Sequence, residues 1–181
     1  MKAFLWVAAV ALMMSGCTSA PPTNFSLPTV EPAVIKQDAE LKAVSVSYAS
    51  PKEQTGDIPT FGEGFPLLWE KSLEEAINKS AVFQDDASEK VNLFVKVKQL
   101  EPPLGGISMT TSANAEYTIV SRKTGKVLYQ RTVFTKGVVP GDYAFSGMTR
   151  MRESLNRAVQ NNIAEFLDTI SHQRLLAVSP Q

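Results

Sequence analysis

Residues 91–136 read VNLFVKVKQL-EPPLGGIS-MTTSANAEYTIVS-RKTG-KVLYQRTVFTK. In the first ten, Val91, Leu93, Val95 and Val97 alternate with polar residues or Phe, the period of two that puts one row of side chains on one face of a strand. Pro102, Pro103, Gly105 and Gly106 stop that strand. A second alternating run follows over 109–121, with Ala113, Ala115, Tyr117 and Ile119 on one face. Arg122-Lys123-Thr124-Gly125 reads as a hairpin turn, Gly125 being free to take a positive φ. Residues 126–136 return as the next strand. Three consecutive strands joined by short turns make an antiparallel sheet.

Upstream, residues 41–49 (LKAVSVSYA) alternate, with Val44, Val46 and Tyr48 on one face. Residues 50–64 carry Pro51, Gly56, Pro59, Gly62 and Gly64 and form a long loop. Pro66 suits the first position of a helix. Trp69, Leu73, Ala76, Ile77 and Ser80 follow at helical spacing over 66–82, with Lys71/Glu75 and Glu75/Lys79 as i,i+4 pairs on the other side. Downstream, Gly137, Pro140, Gly141 and Gly147 mark a loop, and Ser146 suits an N-cap. Met148, Met151, Leu155, Val159, Asn162, Phe166 and Ile170 set a helix over 147–171. The order β-α-β-β-β-α predicts a two-layer α+β fold: one four-stranded, mostly antiparallel sheet with two helices on one face. It occupies 40–173 as a single domain, and 174–181 form a tail.

The N-terminus carries a different message. Lys2 precedes an apolar run, Ala3 to Met14, of about a dozen residues, whereas a membrane-spanning helix needs about 20. Such a run is the core of an export signal, residues 1–16, and is set aside from the fold. Ser15-Gly16-Cys17 then places small residues directly before the only cysteine. With one cysteine, no intramolecular disulfide can form. Residues 17–39 are rich in Ser, Thr and Pro (Pro21, Pro22, Pro28, Pro32) and read as a tether; twenty-odd flexible residues span about 25 Å root-mean-square. The chain has 18 basic and 18 acidic residues; loss of Lys2 with the signal leaves 17 against 18. No Lys/Arg run reaches the length of a nucleic-acid or anionic-lipid footprint.

Catalytic patterns are sparse. His172 is the single histidine and follows the last helix, so the common zinc sets are excluded and no metal site or cofactor is expected. The chain contains no G-x-S-x-G elbow, S-x-x-K pair, phosphate-binding P-loop or G-x-G-x-x-G. Asp85-Asp86 lies in the turn after the first helix and reads as solvated. Arg150, Glu153 and Arg157 share a helix face and read as an ion-paired solvent face. The segment 137–147 (GVVPGDYAFSG) stands out, with Val138, Val139, Tyr143 and Phe145 between glycines. Such a loop either folds back on the core or meets a partner, and Tyr143 and Phe145 are the candidate contacts.

Ser15-Gly16-Cys17 resembles the lipobox of bacterial lipoproteins. The resemblance implies cleavage between Gly16 and Cys17, a thioether-linked diacylglycerol on Cys17 and a third acyl chain on the new amine. By resemblance to sorted lipoproteins, Thr18, not being Asp, favours the outer membrane. The lipobox, the Pro-rich segment, VNLFVKVKQL, the long hairpin and RAVQNNIAEFLDTI together resemble small outer-membrane lipoproteins of the YajG type. In element order alone they also resemble the small lipoprotein that plugs the lipopolysaccharide translocon. Relatives of the YajG type sometimes carry the name UDP-N-acetylglucosamine acyltransferase. That enzyme class resembles hexapeptide-repeat β-helices with a catalytic His, and neither feature is visible here.

The expectation is therefore a lipid-anchored outer-membrane lipoprotein on the periplasmic face. Its domain would be a non-enzymatic binding or envelope-assembly module with an envelope protein or glycan as partner and no nucleic acid. The alternatives are a small-ligand module, with a glycan or lipid pocket between sheet and helices, or an envelope hydrolase or acyltransferase built from scattered Ser, Asp or Glu groups.

Overall fold

The alternating stretches become the strands of one open sheet in the computed structural model, which describes residues 22–175. In chain order the elements are β1 (Glu40–Tyr48), α1 (Phe65–Ser80), β2 (Lys90–Glu101), β3 (Met109–Ser121), β4 (Val127–Val139) and α2 (Gly147–His172). The sheet order is β1-β2-β3-β4. β2, β3 and β4 are successive antiparallel neighbours, whereas β1 lies parallel to β2. Parallel neighbours need a crossover connection, and α1 supplies it.

The register carries one apolar row from strand to strand. Val46 pairs with Val95 and Val95 with Tyr117; Val97 pairs with Ala115 and Ala115 with Val133. This inner row is buried together with Trp69, Leu73, Ala76 and Ile77 of α1 and Leu155, Val159, Ile163, Phe166 and Ile170 of α2. The fold is thus the expected two-layer α+β arrangement, a mixed sheet with its helices packed on one face. On the other face Phe94 and Phe134 stand about half exposed among polar residues such as Lys96 and Lys136. β1 forms one edge of the sheet, and Glu70 of α1 covers part of it by accepting a 3.0 Å hydrogen bond from the Val46 amide.

The sheet and α2 close on a solid interface. Tyr117 stacks on Phe166 with ring centroids 4.1 Å apart. Asn162 lies within the apolar stripe and is fully buried. It accepts from the Tyr117 hydroxyl at 2.9 Å and donates to Val133 O at 2.9 Å and Thr135 Oγ1 at 3.2 Å. Burial without water demands such partners, and it drives the Tyr117 phenol well above its ordinary pKa.

Local punctuation agrees with the sequence at three places. Pro66 opens α1. Gly125 takes φ +71° in the β3–β4 turn. Ser146 caps α2, its side chain accepting from the Thr149 amide at 3.4 Å.

Two expectations need correction. First, Gly137, Val138 and Val139 belong to β4 and not to a loop. Gly137 pairs with Thr111, and α2 crosses directly over it: a Cβ there would lie 2.1 Å from Ser154 O and 2.3 Å from Ala158 N. The glycine serves a close strand–helix approach.

Second, the segment read as a tether is packed. Phe25 is fully buried, 5.7 Å from the Phe65 ring and 6.3 Å from Trp69. Asn156 of α2 accepts from the Asn24 amide at 3.0 Å and donates to Pro22 O at 3.2 Å. Gln160 donates to Asn24 O and Ser26 O. Further on, the amides of Ala33, Ile35 and Gln37 donate to Ser80 O, Ser171 O and Val82 O at 2.7–2.9 Å. The buried Gln37 side chain donates to Ile170 O and Gln173 O and accepts from the Leu175 amide. Residues 22–39 therefore form a strap along the two helices and belong to the folded unit, which extends upstream of residue 40. The strap satisfies carbonyls at helix C-termini that would otherwise lack partners. Gln173 and Leu175 are tied in by the same contacts.

Candidate functional site

The antiparallel register brings the β2–β3 loop (102–108) and the β4–α2 loop (140–146) to the same end of the sheet, because Met109 pairs with Val139. They touch: a Cβ on Gly141 would lie 2.5 Å from Ile107 Cγ2. Arg150, in the first turns of α2, donates to Ala144 O, to Phe145 O at 3.0 Å and to Gly106 O at 3.4 Å, and so fastens both loops. Arg157 donates to Val138 O at 3.0 Å and to Glu153 at 2.8 Å, and its guanidinium sits 5.2 Å from the centre of the Tyr143 ring. The face read as ion-paired solvent surface does carry the Glu153–Arg157 pair. Its two arginines also hold backbone carbonyls.

The loops so held present apolar groups outward. Phe145, Leu104 and Ile107 are almost completely exposed, Tyr143 is 45% exposed, and Met148 and Phe61 are more than half exposed. Of the two sequence candidates, Tyr143 lies beneath Arg157 while Phe145 projects freely. Among the other apolar residues of that stretch, Val139 is buried and Val138 lies half exposed on β4.

Beside the loops, where the two helices begin, lies an open cleft of about 450 Å³ lined by Phe61, Phe65, Met148, Met151, Leu155 and Thr23 of the strap, with Arg152 at its rim. Phe61 packs edge-on against Phe65 at 5.9 Å. Tyr48 steadies this side by donating to Gly62 O at 2.5 Å, and half-burial pushes its phenol up to about 12. The expected position of a pocket, between sheet and helices, is instead filled by Tyr117 and Phe166.

The remaining candidates lie apart. His172 is exposed, with Nδ1 2.9 Å from Asp168 O and 3.3 Å from Asp168 Oδ1. It borders a smaller groove of about 350 Å³ between the strap and α2, lined among others by Leu27, Val34 and Leu167. Asp85 and Asp86 are exposed in the turn after α1, Asp86 with φ +59°. Among the described residues no group of three or more His, Cys, Asp or Glu is placed to hold a metal ion. No described helix is long and apolar enough to cross a membrane. Gly16, Cys17 and Thr18 lie outside the described residues.

Sequence reasoning missed Phe61, Leu104, Ile107 and Met148 as parts of this end. Leu104 and Ile107 are lone apolar residues inside a Pro/Gly loop, the same signal that drew attention to Tyr143 and Phe145.

No family model matches the chain, and no curated protein matches it. Solved structures do. A Xanthomonas campestris protein of the family DUF330 is similar at TM-score 0.50 and 17% identity, over 86% of this chain and 96% of that one. PelC of Paraburkholderia phytofirmans, solved as a dodecamer, is similar at TM-score 0.49 and 13% identity over 79% and 93% of the chains. A minor lipoprotein of Acinetobacter baumannii is similar at TM-score 0.44 and 14% identity over 72% and 93%. At 17% identity, what the Xanthomonas protein shares with this chain is the fold alone.

This end of the molecule thus presents apolar area on loops held by Arg150 and Arg157, beside one open cleft.

Proposed function

We propose that the chain is a lipid-anchored lipoprotein of the outer membrane, of the YajG type, attached through Cys17. In this reading its domain faces the periplasm and binds another envelope component without catalysis. The observation that carries the binding role is the apolar end, where Arg150 and Arg157 hold Tyr143, Phe145 and Ile107 outward. Loops that are costly to leave apolar and exposed, yet are fixed by charge-assisted hydrogen bonds, suit a preorganised contact surface. The anchor rests on the apolar run to Met14 followed by Ser15-Gly16-Cys17. Three acyl chains would make attachment effectively permanent, since each buried methylene contributes about 0.8 kcal/mol.

Metabolic labelling with a palmitate analogue tests the anchor: label should be present on the parent and absent from Cys17→Ser. Label on the variant ends the lipoprotein reading, because no other cysteine exists. Envelope fractionation of Thr18→Asp tests the outer membrane: a shift toward the inner membrane is expected, and an unchanged distribution removes that assignment. Photocrosslinking from position 145 in intact cells tests the binding role: an adduct with an envelope component, protein or lipid, is expected, and the absence of any adduct removes that role.

A second reading is favoured by the cleft lined by Phe61, Phe65, Met148, Met151 and Leu155. Its volume is within the range of small-ligand sites, and a lipid acyl chain matches its apolar walls better than a glycan. Native mass spectrometry of protein purified from cells would reveal such a ligand as a discrete added mass.

A further inference from the structure

We propose that the apolar end is a second membrane contact: Phe145, Ile107, Leu104 and Met148 dock on the phospholipid bilayer that holds the chain, fixing how the domain stands on it. The proposal rests on the reading of Cys17 as the anchor, and it follows from where the strap starts. Because residues 22–39 are packed, Cys17 stands only five residue steps from Pro22, which is bound to α2. Five residue steps reach at most about 18 Å.

The strap also begins at the right place. Pro22 and Asn24 are bound to Asn156, and Thr23 lines the cleft with Phe61 and Met148. The start of the strap therefore lies toward the apolar end. Asn156 sits just past Ser154, which bonds to Thr111 near the start of β3; from that level the apolar loops are about 10 Å away and the 122–125 turn about 30 Å away at ordinary strand rise, so only the former lie within the reach.

The surface has the chemistry of a bilayer interface. The segments 102–108 and 140–146 contain a single charged residue, Asp142, and no Lys or Arg. Docking is therefore driven by apolar burial and needs no anionic lipid. Amphipathic elements of this kind sink about 5–10 Å into the boundary between headgroups and acyl chains.

The test uses the full acylated chain, purified from membranes and reconstituted into phosphatidylcholine vesicles brominated near the carbonyl end of the acyl chains. Phe145→Trp and, at the opposite end, Lys123→Trp each add one exposed indole. Trp69 is fully buried and supplies a constant background. The structure predicts strong bromine quenching and a blue shift for Phe145→Trp, with neither for Lys123→Trp, unchanged in high salt. Combining Ile107→Ser with Phe145→Trp should reduce the quenching.

Equal quenching at the two positions, or none at Phe145→Trp, overturns the bilayer contact. Crosslinking of position 145 chiefly to another protein in cells overturns it too. The mass of the purified chain reports acylation of Cys17 separately. If acyl chains are absent, the anchor reading fails, and the same comparison with vesicles added from outside still decides whether the apolar end meets a bilayer.

Discussion

Phe25→Ala distinguishes a structural strap from a loose tether. A residue in a flexible linker can be truncated without effect, whereas Phe25 is fully buried between Phe65 and Trp69. Phe→Ala in a core costs about 3–5 kcal/mol through lost burial and the cavity left behind. The strap can also peel away. That route gives up the four hydrogen bonds made by Asn156 and Gln160, each contributing about 0.5–1.5 kcal/mol. The two routes converge on a loss of about 3 kcal/mol, a large share of a typical total of about 5–15 kcal/mol. For a domain of this size the melting temperature should fall by roughly 6–12 °C. Urea denaturation of residues 18–181, followed by circular dichroism, measures the loss. Val34→Ala, at a strap position that is 72% exposed, is the control and should stay within about 0.5 kcal/mol. If Phe25→Ala is as stable as the control, the strap is not part of the cooperative unit. The short reach on which the membrane orientation depends then disappears with it.

Four further outcomes follow from the packing and the charges. Tyr117→Phe and Asn162→Leu should each cost about 1–3 kcal/mol by orphaning the other's buried polar group. The double variant should cost less than their sum, with a coupling of about 0.5–3 kcal/mol in a denaturation cycle; strict additivity would refute the pairing. Gly137→Ala sets a methyl against the backbone of α2 at Ser154 and Ala158 and should lower stability by about 1–3 kcal/mol or more in thermal melts. Leu155→Ala, at a buried position facing the sheet, should cost about 2–5 kcal/mol, and a parent-like melt would mean the helix face is misassigned. Glu53 is bound by Lys96 and Ser50, which hold its carboxyl down to about 2. Being lowered, it stabilises the fold above the unfolded value of about 4.3 and loses that effect as pH falls toward 2. An NMR titration should give that midpoint, and Lys96→Met should raise it.

The parts of the fold that were legible in sequence are those where local pattern and tertiary burial agree. β3 alternates along its whole length, and the sequence places it at 109–121, the range it occupies. Pro66, Gly125 and Ser146 each act within their own turn, so their roles follow from neighbours in the chain. The strap was hidden because its partners are far away: Gln37 bonds to Ile170 and Asn24 to Asn156. It buries one aromatic ring and a few isolated groups with no period, which in sequence looks like a Pro-rich linker. Gly137 was misread for a related reason. A glycine serving a close helix crossing and a glycine serving a turn are the same letter, and only the position of α2 separates them. Within the candidate site, Tyr143 and Phe145 were visible as aromatics between glycines. The grip of Arg150 on Gly106, spanning 44 positions, had no local trace.

The strap also fixes an order of assembly. Its contacts with α2 and the residues just after it join groups 132 to 138 positions apart, and closing so long a loop is entropically slow before the intervening sheet has formed. During synthesis the segment around Phe25 emerges early, but its docking groove is incomplete until α2, the last of the described elements, has followed. The strap is therefore made before the sheet and locked after it. Until then the rings of Phe65 and Trp69 stand uncovered, and a chaperone would have its opportunity there.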